Sequence, residues 1–513
     1  MKTLAPPTTT ACRHLLVELD LRFAFWQYHG LYGTAEYSFL LDSAKDPRKL
    51  GRHSFIGGDP FLVYRAKRRP GVPPHSGAKI EVEHRAAADG TPLSEPLRSQ
   101  RVADPFDDLR GVLETCAVDY DGYADHPVPL LSGAVGYFGY EAGHFVEELP
   151  ERAVDDLALP DVYLMFVNTV LAHCHQTGKS YLSVLGRGSS DASAERQAFE
   201  LRDAMLARIA DFETEPVAEW TGPDPKLAAR TAVDLKEHFD EASYIRAVEI
   251  AKEHVLAGDV FEVCMTHRFE APLTGGGPWD LYRELRRINP APFACYLNFP
   301  EAQVVSSSPE RYLSVAPDRT AESRPIKGTR PRGHTPAEDE SLRLDLLRSE
   351  KDRAENMMIV DLLRNDFGRV CKFHSVHVPE LMVVERYATV FQMVSTVRGE
   401  LDDDIDRLDL VKAAFPGGSM TGAPKIEAMK IIDRLEPVNR GIYSGSIGYL
   451  DFAGPLDLNI VIRTFVIKDG RCYYNVGGAI VADSDPREEY QETLDKARAL
   501  TAALRNLKAM GAS

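Results

Sequence analysis

Ser446-Ile447-Gly448-Tyr449-Leu450-Asp451-Phe452, followed by Asp457–Ile467 and Arg471–Val476, forms three runs rich in apolar, β-branched and aromatic residues. Such runs predict consecutive strands, and Lys468-Asp469-Gly470 supplies the turn between the last two. Immediately beyond, apolar positions recur at helical spacing over Arg487–Leu507. Earlier segments mix the same element types. Gln303–Ser307 and Tyr312–Val315 read as paired strands and Lys351–Leu363 as a long helix. Glu237–Ala257 reads as a helix that Gly258-Asp259 ends before the strand-like Val260–Phe269. Nearer the N-terminus, Tyr37–Asp42, Phe61–Arg65 and the glycine-interrupted Leu130–Tyr140 read as strands, and Ala194–Phe212 as an amphipathic helix. Thr214–Arg230 is polar and carries prolines at 216, 223 and 225, which predicts a linker and a division into residues 1–230 and 231–513.

With 513 residues, 44% apolar and 27% charged, the chain has the composition of a globular protein large enough to enclose a small molecule. Sixty basic against 77 acidic residues give a net charge of −17. That balance argues against a broad nucleic-acid footprint or an anionic membrane surface, so an anionic ligand needs a local basic site. The seven cysteines are scattered singly, with no C-x-x-C pair, which fits a reducing cytoplasm better than a disulfide framework or a zinc site. Met1–Leu21 lacks an apolar run of signal-peptide length, and Val162–Thr177 is too short and polar to span a bilayer.

Four cations fall within nine residues in Arg324-Pro325-Ile326-Lys327-Gly328-Thr329-Arg330-Pro331-Arg332-Gly333, a stiff basic loop suited to a carboxylate-rich ligand. Solvated surface is the plainer reading of such a cluster. Flanking arginines and partial burial would both disfavour the ammonium form of Lys327, leaving the neutral amine a nucleophile needs. Asp352 with Glu355, and Glu489 with Glu492, each share one helical face at i,i+3. Acid pairs of this kind usually face solvent or pair with a lysine such as Lys496. Two converging helices offering them would instead make an oxygen-ligand site that Mg²⁺ accepts. Pro416–Lys425, Ser444–Gly448 and Gly477-Gly478-Ala479 read as glycine-rich turns, none with a nucleotide fingerprint. Arg463, inside a strand-like run, needs either an internal salt bridge or an anionic ligand.

Taken in order, Ser307-Ser308-Pro309-Glu310-Arg311, the PIKGTRPRG loop, Glu355–Asp366, Pro416–Lys425, Ile462–Thr464, the GGAIVADS run and Tyr490–Lys496 resemble the chorismate-utilising enzymes, a family that includes the first components of anthranilate synthase and aminodeoxychorismate synthase. The resemblance implies an α+β fold with two mainly antiparallel sheets packed as a sandwich and helices outside. It implies a catalytic region from about residue 231, preceded by an anthranilate-synthase-like region whose tryptophan pocket would include Leu41 and Ser43. Lys327 points to the aminodeoxychorismate branch, because anthranilate synthases typically carry Ala there.

The implied reaction is Mg²⁺-dependent. Glu355 and Glu492 would hold the ion, with Glu489 and Asp352 as outer groups. Tyr443 and Arg463 would bind the enolpyruvyl carboxylate, and the Gly477, Gly478 and Ala479 backbone the ring carboxylate. Gly328, Thr421 and Lys496 join the substrate-binding set. Glu310 would protonate the departing C4 hydroxyl while Lys327 adds at C2, with Thr329 and Gln392 beside them; ammonia then enters at C4. The chain departs from the family at Gln392, commonly His, and at Glu262, commonly Gln. Gln392 cannot act as an acid, and Glu262 brings a negative charge toward a dianionic ligand unless it is protonated or paired. No cysteine lies in a glutaminase-like Gly-x-Cys-x-Gly elbow, so ammonia is expected from a glutamine amidotransferase partner or from free ammonium. Anthranilate or isochorismate formation, and a catalytically silent regulatory subunit, are the competing expectations.

Overall fold

The computed structural model describes residues 11–44, 50–73, 77–87, 91–120, 122–387 and 390–511. The first ten residues, including the Pro6-Pro7 start of the N-terminal segment, lie outside them. Two 12-stranded sheets form the frame, eleven strands of each in one order and the twelfth beside it: Gly422–Ala423 pairs with Glu262–Pro272 in the first, and His377–Arg386 with Val390–Glu400 in the second. In the first, strands run Ala11–Leu19, Lys179–Gly188, Thr169–Cys174, His53–Gly58, Ser38–Asp42, Phe293–Asn298, Gln303–Ser308, Thr464–Lys468, Arg471–Ile480 and Glu262–Pro272, with Lys236–Glu237 at the edge. In the second, Ile326–Pro331 pairs with Val390–Glu400, and the order continues through Thr320–Ser323, Arg311–Val315, Leu456–Asn459, Ser446–Asp451, Gly133–Phe138, Val162–Val167, Leu62–Lys67 and Ala78–Ala86 to Pro92–Ala103. Strand pairs in both ladders are antiparallel, as the sandwich expectation requires.

The sheets face each other across one large core. Phe39, Phe55 and Val304 from the first sheet meet Val63, Tyr137, Phe166 and Leu458 from the second. The outer face of the first sheet is covered by the helices Asp191–Phe212, Pro278–Ile288 and Pro486–Met510, whose Met205, Leu281 and Leu500 are buried there. Residue 230 ends a short helix, and each sheet contains strands from both sides of that point.

Local chemistry sets several boundaries. Asp469 and Gly470 both have positive φ, 50° and 71°, giving the tight turn that pairs Lys468 with Arg471. Gly258, at φ 84°, closes the Glu241–Ala257 helix in the left-handed cap conformation. Ser349 caps Glu350–Gly368 by accepting from the Asp352 N–H. Asp485 caps Pro486–Met510, with Pro486 in the first turn.

Three expectations are corrected. Gln303–Ser308 and Arg311–Val315 are strands but not a pair: the first lies in the first sheet between Phe293–Asn298 and Thr464–Lys468, the second in the second sheet between Thr320–Ser323 and Leu456–Asn459. Asp457–Ile467 is not one strand: Leu456–Asn459 belongs to the second sheet and Thr464–Lys468 to the first. Residues 460–463 carry the chain between the sheets, and Arg463 turns it with φ 52°. Gly477-Gly478-Ala479 is not a turn but the end of Arg471–Ile480, paired with Cys264–Thr266. The clearest need for glycine is at Gly477, where a Cβ would collide with the Met265 backbone oxygen.

Candidate active site

The site forms where two segments change sheets. Ser308 ends a strand of the first sheet and Arg311 begins one of the second, so Glu310 stands on a crossing. The residue 460–463 crossing lies alongside: the Ile460 N–H donates to Glu310 O at 3.0 Å, and the Ser307 N–H to Arg463 O at 3.1 Å. Tyr443 joins them through the Ser444 N–H, which donates to Val461 O at 2.9 Å. A sheet interior seldom offers irregular backbone; two adjacent crossings supply it without opening either ladder.

Glu310 is buried, and its carboxylate accepts from the Ile326 N–H at 3.4 Å and from Ser419 Oγ at 3.2 Å. Burial pushes its pKa up to about 7, against the smaller opposing influence of these donors, Lys327 and Arg463. A carboxyl poised there can hold a proton for a leaving hydroxyl near neutral pH.

The basic loop is an edge strand, Ile326–Pro331, and its cations divide. Arg324 pairs with Glu380 at 2.8 Å and Glu385 at 2.9 Å; Arg330 pairs with Asp345 at 2.6 Å and Asp352 at 3.0 Å; Arg332 pairs with Asp339 at 2.7 Å. Only Lys327 turns into the site. Its Nζ donates to Glu262 Oε1 at 2.7 Å and lies 3.7 Å from Glu355 Oε2. The expectation of a neutral amine is therefore corrected for this state. Burial lowers the pKa, but the charges of Glu262 and Glu355 outweigh it and hold Lys327 well above the ordinary lysine value. The flanking arginines, each neutralised by its own acids, exert no opposing field of note.

Gly328 follows with φ 81°, and a Cβ there would stand 2.8 Å from Asp352 Cγ. Thr329 pairs in register with Gln392 of Val390–Glu400; Thr329 is exposed and Gln392 buried, and the Gln392 amide makes no hydrogen bond among the described residues.

The acidic residues come from the helices Glu350–Gly368 and Pro486–Met510. Burial raises the Glu355 pKa, with Lys327 opposing. Burial also raises Glu489, reinforced by the neighbouring charge of Glu492 and opposed by Ser484 Oγ, which donates at 2.7 Å. Burial pushes Glu492 up too, yet Lys496 at 2.6 Å brings it below the ordinary carboxylate value. Lys351 reaches from one helix to within 3.9 Å of Glu489 on the other.

An all-carboxylate donor set suits a hard divalent cation such as Mg²⁺. Among the described residues no three acids converge into a ready-made cluster. Mg²⁺ commonly takes only one or two protein carboxylates beside water and substrate oxygens, so the arrangement fits it. Asp352 is held off by Arg330.

The residues expected to bind carboxylates have few internal partners among the described residues. The Arg463 guanidinium makes no hydrogen bond or ion pair among the described residues, and burial lowers its pKa with only Glu310 opposing. Of the two roles open to Arg463 in the sequence, the internal salt bridge is absent there. Burial likewise raises the buried Tyr443 phenol. Strand pairing with Thr464–Lys468 stops at Tyr474, so residues 475–480 keep one edge free of strand neighbours among the described residues. Lys496 Nζ donates to Gly477 O on that strand at 2.7 Å. The Thr421 hydroxyl turns back onto its own loop, to Gly417 O at 3.3 Å, while its carbonyl accepts from the Cys264 N–H at 2.9 Å.

Sequence reading missed Arg440, Glu436, Ser419 and Lys351. Arg440 is buried and donates to Met420 O and Cys264 O, both at 2.6 Å, while pairing with Glu436. It ties the Pro416–Lys425 turn to the strand that Glu262 begins. Its position three residues before Tyr443 was the available signal. Leu41 and Ser43 lie elsewhere, on a cavity of about 300 Å³ between the sheets that also includes Phe55, Phe293, Arg311 and Tyr449.

The family of chorismate-binding enzymes matches residues 66–502, and the chain belongs to it. Among relatives, the aminodeoxychorismate synthase of Streptomyces pristinaespiralis is 40% identical over 94% of this chain and 64% of that protein. The aminodeoxychorismate synthase component 1 of Bacillus subtilis is 34% identical over 93% of this chain and 94% of its own. The crystal structure of anthranilate synthase component I from Streptococcus pneumoniae superposes with a TM-score of 0.70 at 30% identity, covering 89% of this chain and 95% of that one. The chain thus spans less than two thirds of the first of these relatives. No helix among the described residues is long and apolar enough to cross a membrane.

Proposed function

We infer that the chain aminates chorismate at C4 to give 4-amino-4-deoxychorismate, using ammonia that a glutamine amidotransferase partner or free ammonium supplies. The observation that carries this reading is the placement of Lys327: its amine is buried between Glu262 and Glu355 rather than in solvent. Arg463 and Tyr443 would take the enolpyruvyl carboxylate, and the free edge of Gly477–Ala479 the ring carboxylate. Glu310, holding a proton up to about pH 7, would deliver it to the departing C4 hydroxyl. Lys327 must first release its own proton, and Glu262 Oε1 at 2.7 Å is the adjacent acceptor. Its amine then adds at C2 and leaves when ammonia enters at C4. Glu355 and Glu492 would hold Mg²⁺, with Glu489 and Asp352 behind them. When bound, the ion would neutralise carboxylate charge on the substrate and polarise the ring system. The cavity at Leu41 and Ser43 would take an amino acid such as tryptophan.

The test is incubation with chorismate, Mg²⁺ and ammonium, followed by a separate aminodeoxychorismate lyase. Formation of 4-aminobenzoate supports the reading. Anthranilate or isochorismate without 4-aminobenzoate overturns the choice of product, and no turnover would favour the silent-subunit reading.

A further inference from the structure

Glu262 has more acceptor capacity than its neighbours use. The side chain is fully buried at the start of the Glu262–Pro272 strand. Oε1 accepts from Lys327, but Oε2 has no hydrogen-bond partner although it is buried. A carboxylate oxygen left bare in the interior is unfavourable, and the arrangement makes sense where a donor arrives from outside. The donor must also be reconciled with charge. Glu355, Glu310, Glu489 and Glu492 already line this site, and chorismate adds two carboxylates. Another anionic oxygen facing the substrate directly would repel it; an N–H group placed between them would not.

We propose that Glu262 Oε2 is the docking point for the incoming nitrogen nucleophile, ammonia or ammonium, beside Lys327. This rests on the amination reading above. Ammonia held by an N–H···O bond is anchored through hydrogen, which leaves its lone pair free to face the ring; ammonium docked there must first lose a proton to water, and it is the resulting ammonia that adds. The position is also close to the surface. The preceding residue, Phe261, is 70% exposed, with its N–H donating to Ala423 O at 2.7 Å, so Glu262 stands one residue inside the protein boundary. An acid at this position thereby gains a purpose that a counter-ion for Lys327 alone would not require, because one oxygen already meets that need.

The experiment is steady-state amination with ammonium chloride as nitrogen source at saturating chorismate and Mg²⁺, comparing Glu262→Leu and Glu262→Gln with the parent chain. Glu262→Leu should raise the KM for ammonium about tenfold or more, the loss expected for one charged acceptor. In a second series with chorismate varied at saturating ammonium, the KM for chorismate should stay within about twofold, because that ligand's carboxylates are held elsewhere. Glu262→Gln, which keeps an amide oxygen, should recover part of the ammonium KM. Thermal melting of both variants separates misfolding from lost binding, and the Gln variant preserves the test if the Leu variant does not fold. A fall in kcat with the ammonium KM unchanged would overturn the proposal and leave Glu262 as a partner of Lys327 only. If the parent chain itself yields no 4-amino-4-deoxychorismate, the amination reading fails instead, and product chromatography distinguishes the two.

Discussion

Lys327 and Arg463 are both cations facing the candidate site, and the fold treats them in opposite ways. Lys327 sits in a strand, at a break in register between Ile326 and Thr329, and is satisfied by two carboxylates at 2.7 and 3.7 Å. Arg463 sits on the irregular crossing between sheets, and among the described residues its guanidinium has no ion pair, only the more distant charge of Glu310. A satisfied cation can be part of a reaction only after its partners are rearranged or take its proton. An unsatisfied one is set for a ligand from the start. The pairing state therefore divides chemistry from binding, and each side can be probed.

The largest effect should come from Lys327→Ala, which should slow amination by roughly 10³-fold or more if the amine forms the adduct. Single-turnover kinetics read this directly, and unchanged rates would remove the lysine from covalent chemistry. Next comes Glu310. With a pKa of about 7, its acid form disappears as pH rises, so kcat should decline above pH 7. Glu310→Gln should lower kcat by about 10²–10⁴-fold and abolish that limb of the profile. The linked stability has a definite sign. The native pKa exceeds the ordinary 4.5, so between 4.5 and about 7 the folded chain keeps a proton that the unfolded chain has lost. The group's contribution is greatest below that window and falls as pH rises through it. Denaturant titrations of parent and Glu310→Gln across pH 4 to 8 would show the difference.

Arg463→Gln tests the binding side. It should raise the chorismate KM about 10- to 100-fold, the loss of a charge-assisted contact of about 1.5–3 kcal/mol, while leaving the melting temperature unchanged or higher. A large loss of stability would show that the guanidinium serves the fold. Gly328→Ala, forcing a Cβ toward Asp352 at φ 81°, should cost about 1–2 kcal/mol, read from thermal melting. Lys496→Ala should have the smallest effect, about 0.5 kcal/mol or less, since its pair with Glu492 is half exposed.

How far the sequence revealed this division depends on distance along the chain. The turn at Lys468-Asp469-Gly470, the helix end at Gly258 and the family motifs between Ser307 and Lys496 are local features, and each was legible. The charge of Lys327 was not, because its controlling carboxylate lies 65 residues away and meets it only across the assembled site. Nearby arginines suggested the wrong sign since their own acids, such as Glu380 and Asp345, are also remote or on other elements. Arg463 was read as strand because its neighbours are apolar and β-branched. The change of sheet that bends the chain there is a property of tertiary pairing, which side-chain periodicity does not encode.

Threading of both sheets through early and late parts of the chain limits how the protein can be dissected. Ser38–Asp42 is hydrogen-bonded to Phe293–Asn298, and Gly133–Phe138 to Ser446–Asp451. Expressing residues 231–513 alone would strip a neighbour from each of those later strands and leave two long, sticky borders facing water. Crystallisation, mutagenesis or transplantation into another host accordingly needs residues from both sides of position 230, and residues 231–513 expressed alone should be recovered from inclusion bodies.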